Sequence, residues 1–273
     1  NNKYLIADSR QKLKGRMKNA QNYVRGYGKN EMYTGFHVTT KLWVGDYNNG
    51  STFNDLAKAS QGIKRLGVLR ADVDDLGQAF VSGFESEDHG EKFLTLSRTA
   101  TFSRKLSMFF KLHINELLEH GDYYLDKGRI KGKRNATIIY SGGDDVFIVG
   151  SWDDIIGFAI DLYNSLKKYS QNTLTISAGL GIYHSTFPIS AMAEQVGELE
   201  GVSKLQEDKN SITLFNDNKD NCYSWEQFIN SVLGEKFKLV QEFFDNSKDR
   251  GKNFLYNILE LLRNKDDKIN LAR

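Results

Sequence analysis

Asp144 and Asp145 follow two glycines in the stretch SGGDD, between the apolar runs ATIIY and VFIVG. A second acidic group, Asp72 and Asp74 in LRADVDDLG, closes an apolar run of its own. Ionised carboxylates gathered within about 6 Å oppose one another's ionisation, so such a group is costly unless something offsets the repulsion. Hard divalent cations do so. Mg²⁺ and Mn²⁺ favour carboxylate oxygens and bind through one or two of them together with substrate phosphates. Two such ions about 4 Å apart can activate an attacking hydroxyl and stabilise a leaving phosphate oxygen. Gly142 and Gly143 permit positive φ and leave no side chain where a nucleotide approaches. These residue types point to nucleotidyl transfer, on the condition that the two acidic groups meet in space.

The elements around them decide that condition. GVLRADV, from Gly67, reads as a buried strand. Phe102, Leu106, Phe109, Phe110, His113 and Leu117 recur at helical spacing over about Glu91 to His120, with Gly121 ending the run. ATIIY, the turn SGGD and VFIVG form a hairpin. Ser151 and Asp154 make a capping-box pattern for a helix burying Ile155, Ile156, Ala159, Leu162, Tyr163 and Leu166. TLTISAGLGIYH alternates as a fourth strand, Pro188 opens a helix through about Gln206, and SITLF is a short last strand. The order β-α-β-β-α-β is that of a ferredoxin-like sheet. In it the third strand lies between the first two and antiparallel to both, so the turn holding Asp144 and Asp145 falls beside the exit holding Asp72 and Asp74. Taken singly, a Gly-Gly-Asp-Asp turn also suits a solvated hairpin, and DVDD also suits a strand end or helix cap. Their joint placement separates the readings.

Upstream, residues 1–33 are lysine-rich and weakly patterned, and irregular structure is expected there. TGFHVTTKLWVGDY (34–47) carries Phe36, Val38, Leu42 and Val44 in approximate alternation, a strand signal. A short helix is expected from Thr52 or Asn54 to Ser60, with Gly62 stopping it. After Asp217 the pattern is helical only: Ser224 and Gln227 form a capping box, and apolar runs span Phe228–Leu233, Phe237–Phe244 and Phe254–Leu262. The expected division is 1–66 (linker with a short strand and helix), 67–217 (the α+β sheet domain) and 218–273 (a small helical domain).

The 273 residues suffice for one large domain or two modest ones, and 40% hydrophobic with 26% charged residues is ordinary globular chemistry. A net charge of +2 is no nucleic-acid signature, so any basic surface must be local. Cys222 is the only cysteine, which excludes an internal disulfide and a cysteine-rich zinc site. With no apolar stretch of about 18 residues and no cationic leader, the expectation is a soluble cytoplasmic protein. Because the first residue is Asn, a fragment of a longer chain is expected. No GxxxxGK[ST] or GxGxxG occurs, so a P-loop ATPase or kinase is unsupported. His113 reads as a core histidine, and Arg70 and Arg104 as salt-bridge partners.

YSGGDD after an apolar strand, LRADVDDLG upstream, TFSRKLSMFFKLHIN on the intervening helix and LWVGDY before them together resemble the large subunit of type III CRISPR effector complexes, Csm type. The resemblance covers roughly residues 34–215 and extends into the helical tail. It implies a polymerase/cyclase palm that makes cyclic oligoadenylates from ATP when the complex holds a target RNA. The implied partners are the other effector subunits, guide RNA and target RNA. By position, Asp72, Asp144 and Asp145 would hold two Mg²⁺ or Mn²⁺ ions, with Asp74 in support. Gly142 and Gly143 would pass close to the nucleotide, and Ser141 would touch a base or ribose. LEGVSKLQEDKN resembles the segment where related cyclases place a phosphate-binding lysine, which implies Lys204 and Lys209. The family's HD nuclease and cysteine zinc site have no counterpart here, so the chain is expected to be the C-terminal portion, without DNA cleavage. Two alternatives stand: a diguanylate-type cyclase, disfavoured because Asp145–Val146 stands where that family has Glu–Phe, and a catalytically silent, RNA-scaffolding palm.

Overall fold

The structure, a computed structural model, describes residues 9, 11–12, 15, 25–30, 38–49, 52–83, 95–125, 132–245 and 253–263. The chain divides into two compact units, Asn1–Cys222 and Tyr223–Arg273.

In the first unit the sheet is built from β3 (Leu66–Val73), β4 (Ala136–Gly142), β5 (Asp145–Ser151), β6 (Ile176–Tyr183) and β7 (Ser211–Leu214), in the order β4-β5-β3-β6-β7. β3 is antiparallel to both β5 and β6, and β7 extends the sheet parallel to β6. The first four strands thus have the ferredoxin-like order that the alternation predicts. Leu66 and Val68 of β3 face one side with Val149 of β5. There they pack with Leu56 and Ala57 of α1 (Phe53–Ala59) and with Met192, Val196 and Leu199 from the helix after β6. The other side is covered by the crossover helix after β3 and by the helix after β5.

α1 starts where expected: Thr52 and Asp55 form a capping box. Residues 1–33 were expected to be irregular, yet Arg25–Lys29 forms β1, paired in parallel with β2 (Val38–Leu42). RGYGK has no apolar alternation, so backbone pairing, which leaves no trace in the pattern, makes this strand. Phe36 lies outside the described residues. A helix the pattern gave no sign of, α2 (Leu76–Ser82), follows β3 and buries none of its residues.

The crossover helix departs most instructively. Residues 91–94 lie outside the described residues, and α3 runs Leu96–Met108 from a Thr95 cap. A π turn, Phe109–His113, then precedes α4 (Ile114–Glu119). A π turn adds one residue to the helix. The buried face is therefore Leu106, Phe109, Phe110, Ile114 and Leu118, while His113 is exposed rather than in the core. The expected 113/117 positions have moved to 114/118.

α5 (Trp152–Tyr169) buries Ile155, Ile156, Ala159, Leu162, Tyr163 and Leu166 as its spacing predicts. Its capping box does not form. The Ser151 hydroxyl donates instead to the Leu56 carbonyl at 2.7 Å, and Asp154 accepts from the backbone and side-chain nitrogens of Asn135 at 2.9 and 3.0 Å. Both side chains are buried, and neighbouring segments outcompete the local cap. α6 (Ile189–Lys204) begins after Pro188, which is its cap residue rather than part of its first turn.

Past Asp217 the chain is not helical only, since a 3-10 turn (Lys219–Asn221) and a three-residue strand, β8 (Cys222–Ser224), come first. The second unit then has the Ser224–Gln227 capping box on α7 (Trp225–Gln227), a π-helical stretch Phe228–Phe237, α8 (Lys238–Asp245) and α9 (Asn253–Arg263). No helix among the described residues is long and apolar enough to cross a membrane.

Candidate active site

The two acidic groups meet. Asp72, near the end of β3, is the direct cross-strand partner of Asp145, the first residue of β5. Asp144 precedes it in the turn, and its carbonyl accepts the Val73 amide at 3.2 Å, closing the hairpin onto β3. Of the two turn glycines only Gly143 takes positive φ, +69°, and a Cβ there would meet nothing within 4 Å. Burial, joined by the charges of Asp72 and Asp145, raises the Asp144 pKa above the usual carboxylate range. Asp145 is raised too, by burial first and Asp72 next, against the opposing pull of Tyr140 and Arg70. Each carboxylate makes its neighbour harder to ionise.

α6 supplies the lysine that meets this cluster. It crosses so close over Gly179 that a Cβ there would lie 2.3 Å from the Val196 carbonyl and 2.5 Å from the Glu200 amide. That approach sets Glu200 above the polar end of β3, where its carboxylate meets the Arg70 guanidinium at 2.9 Å and the Lys204 ammonium at 3.0 Å. Lys204 also pairs with Asp72. Burial works to lower the Lys204 pKa, but its bonds to Asp72 and Glu200 outweigh that and raise it. The result is an alternating row, Arg70–Glu200–Lys204–Asp72. Arg70 thus has the salt bridge expected of it.

Other expected residues lie elsewhere. Lys209 pairs with Asp75. Asp74 is buried, accepts the Asn210 amide at 3.2 Å through Oδ2, and its Oδ1 has no hydrogen-bond partner among the described residues. Ser141 pairs in register with Val146, one step from the Gly142–Asp145 pair. Because side chains alternate across a sheet, it faces away from Asp72 and Asp145. Its hydroxyl donates to the Phe110 carbonyl in the π turn, anchoring the hairpin to the crossover helix. A contact from Ser141 to a base or ribose finds no support in that orientation.

Tyr140 was missed. A bulge at Ile139 shifts the β4–β5 register so that Ile138 pairs with Ile148 but Tyr140 with Phe147, on the Asp145 face. Its hydroxyl is bonded to Asp145, whose charge raises the Tyr140 pKa. Plain alternation from Ile138 puts this ring on the wrong side, so the pattern held no signal for it. Glu200 was missed as well, although its i,i+4 spacing to Lys204 was a legible clue.

Hard oxygen donors at a shared edge suit Mg²⁺ or Mn²⁺. Among the described residues no three His, Cys, Asp or Glu side chains form a ready-made ligand cage. Mg²⁺ commonly takes one or two carboxylates and completes its shell from water and substrate phosphates, so the donor set fits without one.

Comparison with known proteins gives the same family from sequence and from fold. Residues 65–213 match the family model described as Cas10/Cmr2, second palm domain, and residues 241–273 that of the Cmr2 subunit's second helical domain. A relative from Mycobacterium tuberculosis, a CRISPR system single-strand-specific deoxyribonuclease Cas10/Csm1 of subtype III-A, is 46% identical over 250 residues, which cover 91% of this chain and 30% of that protein. The chain thus spans about a third of the length of such relatives. Among solved structures, a Csm1–Csm4 cassette in complex with pppApApA superposes with a TM-score of 0.64 at 30% identity, over 75% of this chain and 31% of that one. The cassette in complex with cA4 gives 0.63 at 29% identity, over 75% and 30%. The Asp72–Asp145 pair therefore stands in a second palm domain, and the chain belongs to the Cas10/Cmr2 family.

Proposed function

We propose that this palm performs metal-dependent nucleotidyl transfer, joining ATP into cyclic oligoadenylates within a cytoplasmic type III CRISPR effector complex. The observation that carries the reading is the cross-strand pairing of Asp72 with Asp145, with Asp144 beside them and both turn carboxylates harder to ionise than usual. A scaffold has no use for that repulsion. The solved relatives holding pppApApA and cA4 support adenylate chemistry.

In this reading Asp72, Asp144 and Asp145 would hold Mg²⁺ or Mn²⁺, with Asp74 in support. Bound metal would supply activation of the attacking hydroxyl and charge stabilisation at the leaving phosphate. Gly143 leaves room for a phosphate against the backbone. Lys204, at the end of α6, meets the triphosphate, and Lys209 lies further out, on Asp75. Tyr140 turns the Asp145 carboxylate by holding it through its hydroxyl. Other effector subunits, guide RNA and target RNA are the expected partners. The test is to incubate the assembled complex with each nucleoside triphosphate and Mg²⁺ or Mn²⁺ and identify products by mass. ATP should give oligoadenylates and pyrophosphate, and Asp144→Ala or Asp145→Ala should cost roughly a hundredfold or more in rate, the several kcal/mol a catalytic metal supplies. Equal conversion of GTP to a cyclic dinucleotide would move the assignment to a diguanylate-type cyclase.

A further inference from the structure

Asp72 has two claimants. Its carboxylate is paired with the Lys204 ammonium, and Lys204 is held from behind by Glu200, itself fixed by Arg70. The Glu200 side chain is 8% exposed and that of Asp72 24%, so both carboxylates are sheltered, whereas Lys204 is 32% exposed and reaches them on a flexible four-carbon stem. Among the described residues Asp144 and Asp145 form no such ion pair. A metal ion that needs an Asp72 oxygen must compete with the ammonium. A triphosphate is the substrate group of this reaction that attracts both the metal and the lysine.

We propose that Lys204 is a built-in counter-ion of the acidic cluster, holding Asp72 against free metal and releasing it when a triphosphate draws the ammonium away, so that metal and nucleotide enter together rather than metal first. This rests on the nucleotidyl-transfer reading. Glu200 acts through Lys204 by keeping the ammonium over Asp72, and is a positioning residue. The latch makes metal affinity conditional on nucleotide, which spares the site from loading a divalent ion that has no phosphate to act on.

The test uses Mn²⁺ alone as probe, titrated into the full subunit and followed by the EPR signal of free Mn²⁺. Sites are counted as those lost in the Asp144→Ala, Asp145→Ala protein, and each titration is repeated with a non-hydrolysable ATP analogue. Lys204→Met should tighten nucleotide-free Mn²⁺ binding roughly threefold or more, the weight of a part-exposed ion pair. Lys204→Gln should do the same, which guards against a packing defect in one variant. In an Asp72→Asn background the Lys204 change should have no effect, because the competition runs through that carboxylate. Unchanged nucleotide-free affinity in Lys204→Met, or a gain that persists without Asp72, would overturn the latch while leaving nucleotidyl transfer standing. If no Asp144- and Asp145-dependent Mn²⁺ bound even with the nucleotide analogue, the functional reading and the latch would fall together.

Discussion

Two clusters of carboxylates sit in the same unit and have been solved oppositely. One is interior: Arg134, with no exposed side-chain surface, pairs with Asp161 and lies 3.8 Å from Asp154. Both terminal nitrogens are engaged, since the guanidinium also donates to the Tyr123 and Asp154 carbonyls at 2.8 and 3.2 Å, while its Nε has no hydrogen-bond partner among the described residues. Asp161 in turn accepts the Asp122 and Tyr123 amides, both at 3.0 Å. The other cluster, Asp72 with Asp144 and Asp145, stands at a sheet edge with a single lysine on one of its members. The interior cluster ties the 121–125 segment and the start of β4 to α5, and its charges are spent on that. At the edge, charge is left over. Buried ions held by opposite charge and protein hydrogen bonds are architecture, and part-exposed ions short of counter-charge are available to a ligand.

That contrast can be broken by measurement. The largest effect should come from Arg134→Met, which strands two buried carboxylates and should cost about 3–5 kcal/mol of stability. A calorimetric midpoint close to wild type would mean the interior cluster is not structural. Next in size is metal: Mg²⁺ or Mn²⁺ at a hundred times its dissociation constant should stabilise the wild type by about 2.7 kcal/mol, and Asp144→Ala or Asp145→Ala should forfeit most of it. An equal rise in every variant's midpoint would make the edge aspartates ordinary turn residues. With chelator present, Asp144→Ala or Asp145→Ala should leave stability unchanged or raise it by up to about 1 kcal/mol, as repulsion is relieved. Asp72→Ala should not share that gain, since it leaves Lys204 with Glu200 alone. The smallest effect is in pH. Asp144 and Asp145 have folded pKa values raised above 3.8, so between 3.8 and those values the folded state binds more protons than the unfolded one. The wild type should therefore gain stability, relative to the double alanine variant, as pH falls through that window. A loss there, seen in denaturant midpoints, would show that the carboxylates are paired rather than crowded.

Hydrophobic alternation and helical spacing, together with the β-α-β-β-α-β order, sufficed to bring Asp72 to Asp145 across about 70 residues of chain. That inference needed only which strands pair, and burial patterns report strand identity well. What stayed hidden was whatever adds a single residue or spends a polar group out of sequence. The bulge at Ile139 re-aims Tyr140, and the π turn moves the buried face past His113. Ser151 and Asp154 have the letters of a capping box, but Leu56 and Asn135, distant in sequence, claim them. Ser141 sits beside the glycines in sequence, yet the pleat turns it to Phe110. Proximity along the chain was a poor guide to which face a residue serves.

The π turn is a phase slip, and the parts downstream of it have been set to the slipped phase. Asn115, two residues on, accepts the Asp46 and Tyr47 amides at 2.9 and 3.0 Å and donates to the Val44 carbonyl at 3.0 Å, fastening the segment just before α1. Straightening Phe109–His113 into ordinary α turns with no residue removed would restore an unbroken helical repeat and rotate everything after it by about 100°. His113 and Leu117 would then swing inward, Ile114 and Leu118 outward, and Asn115 would lose the strap it holds. The helix would gain regularity, and the molecule would lose the alignment of three separate stretches of chain.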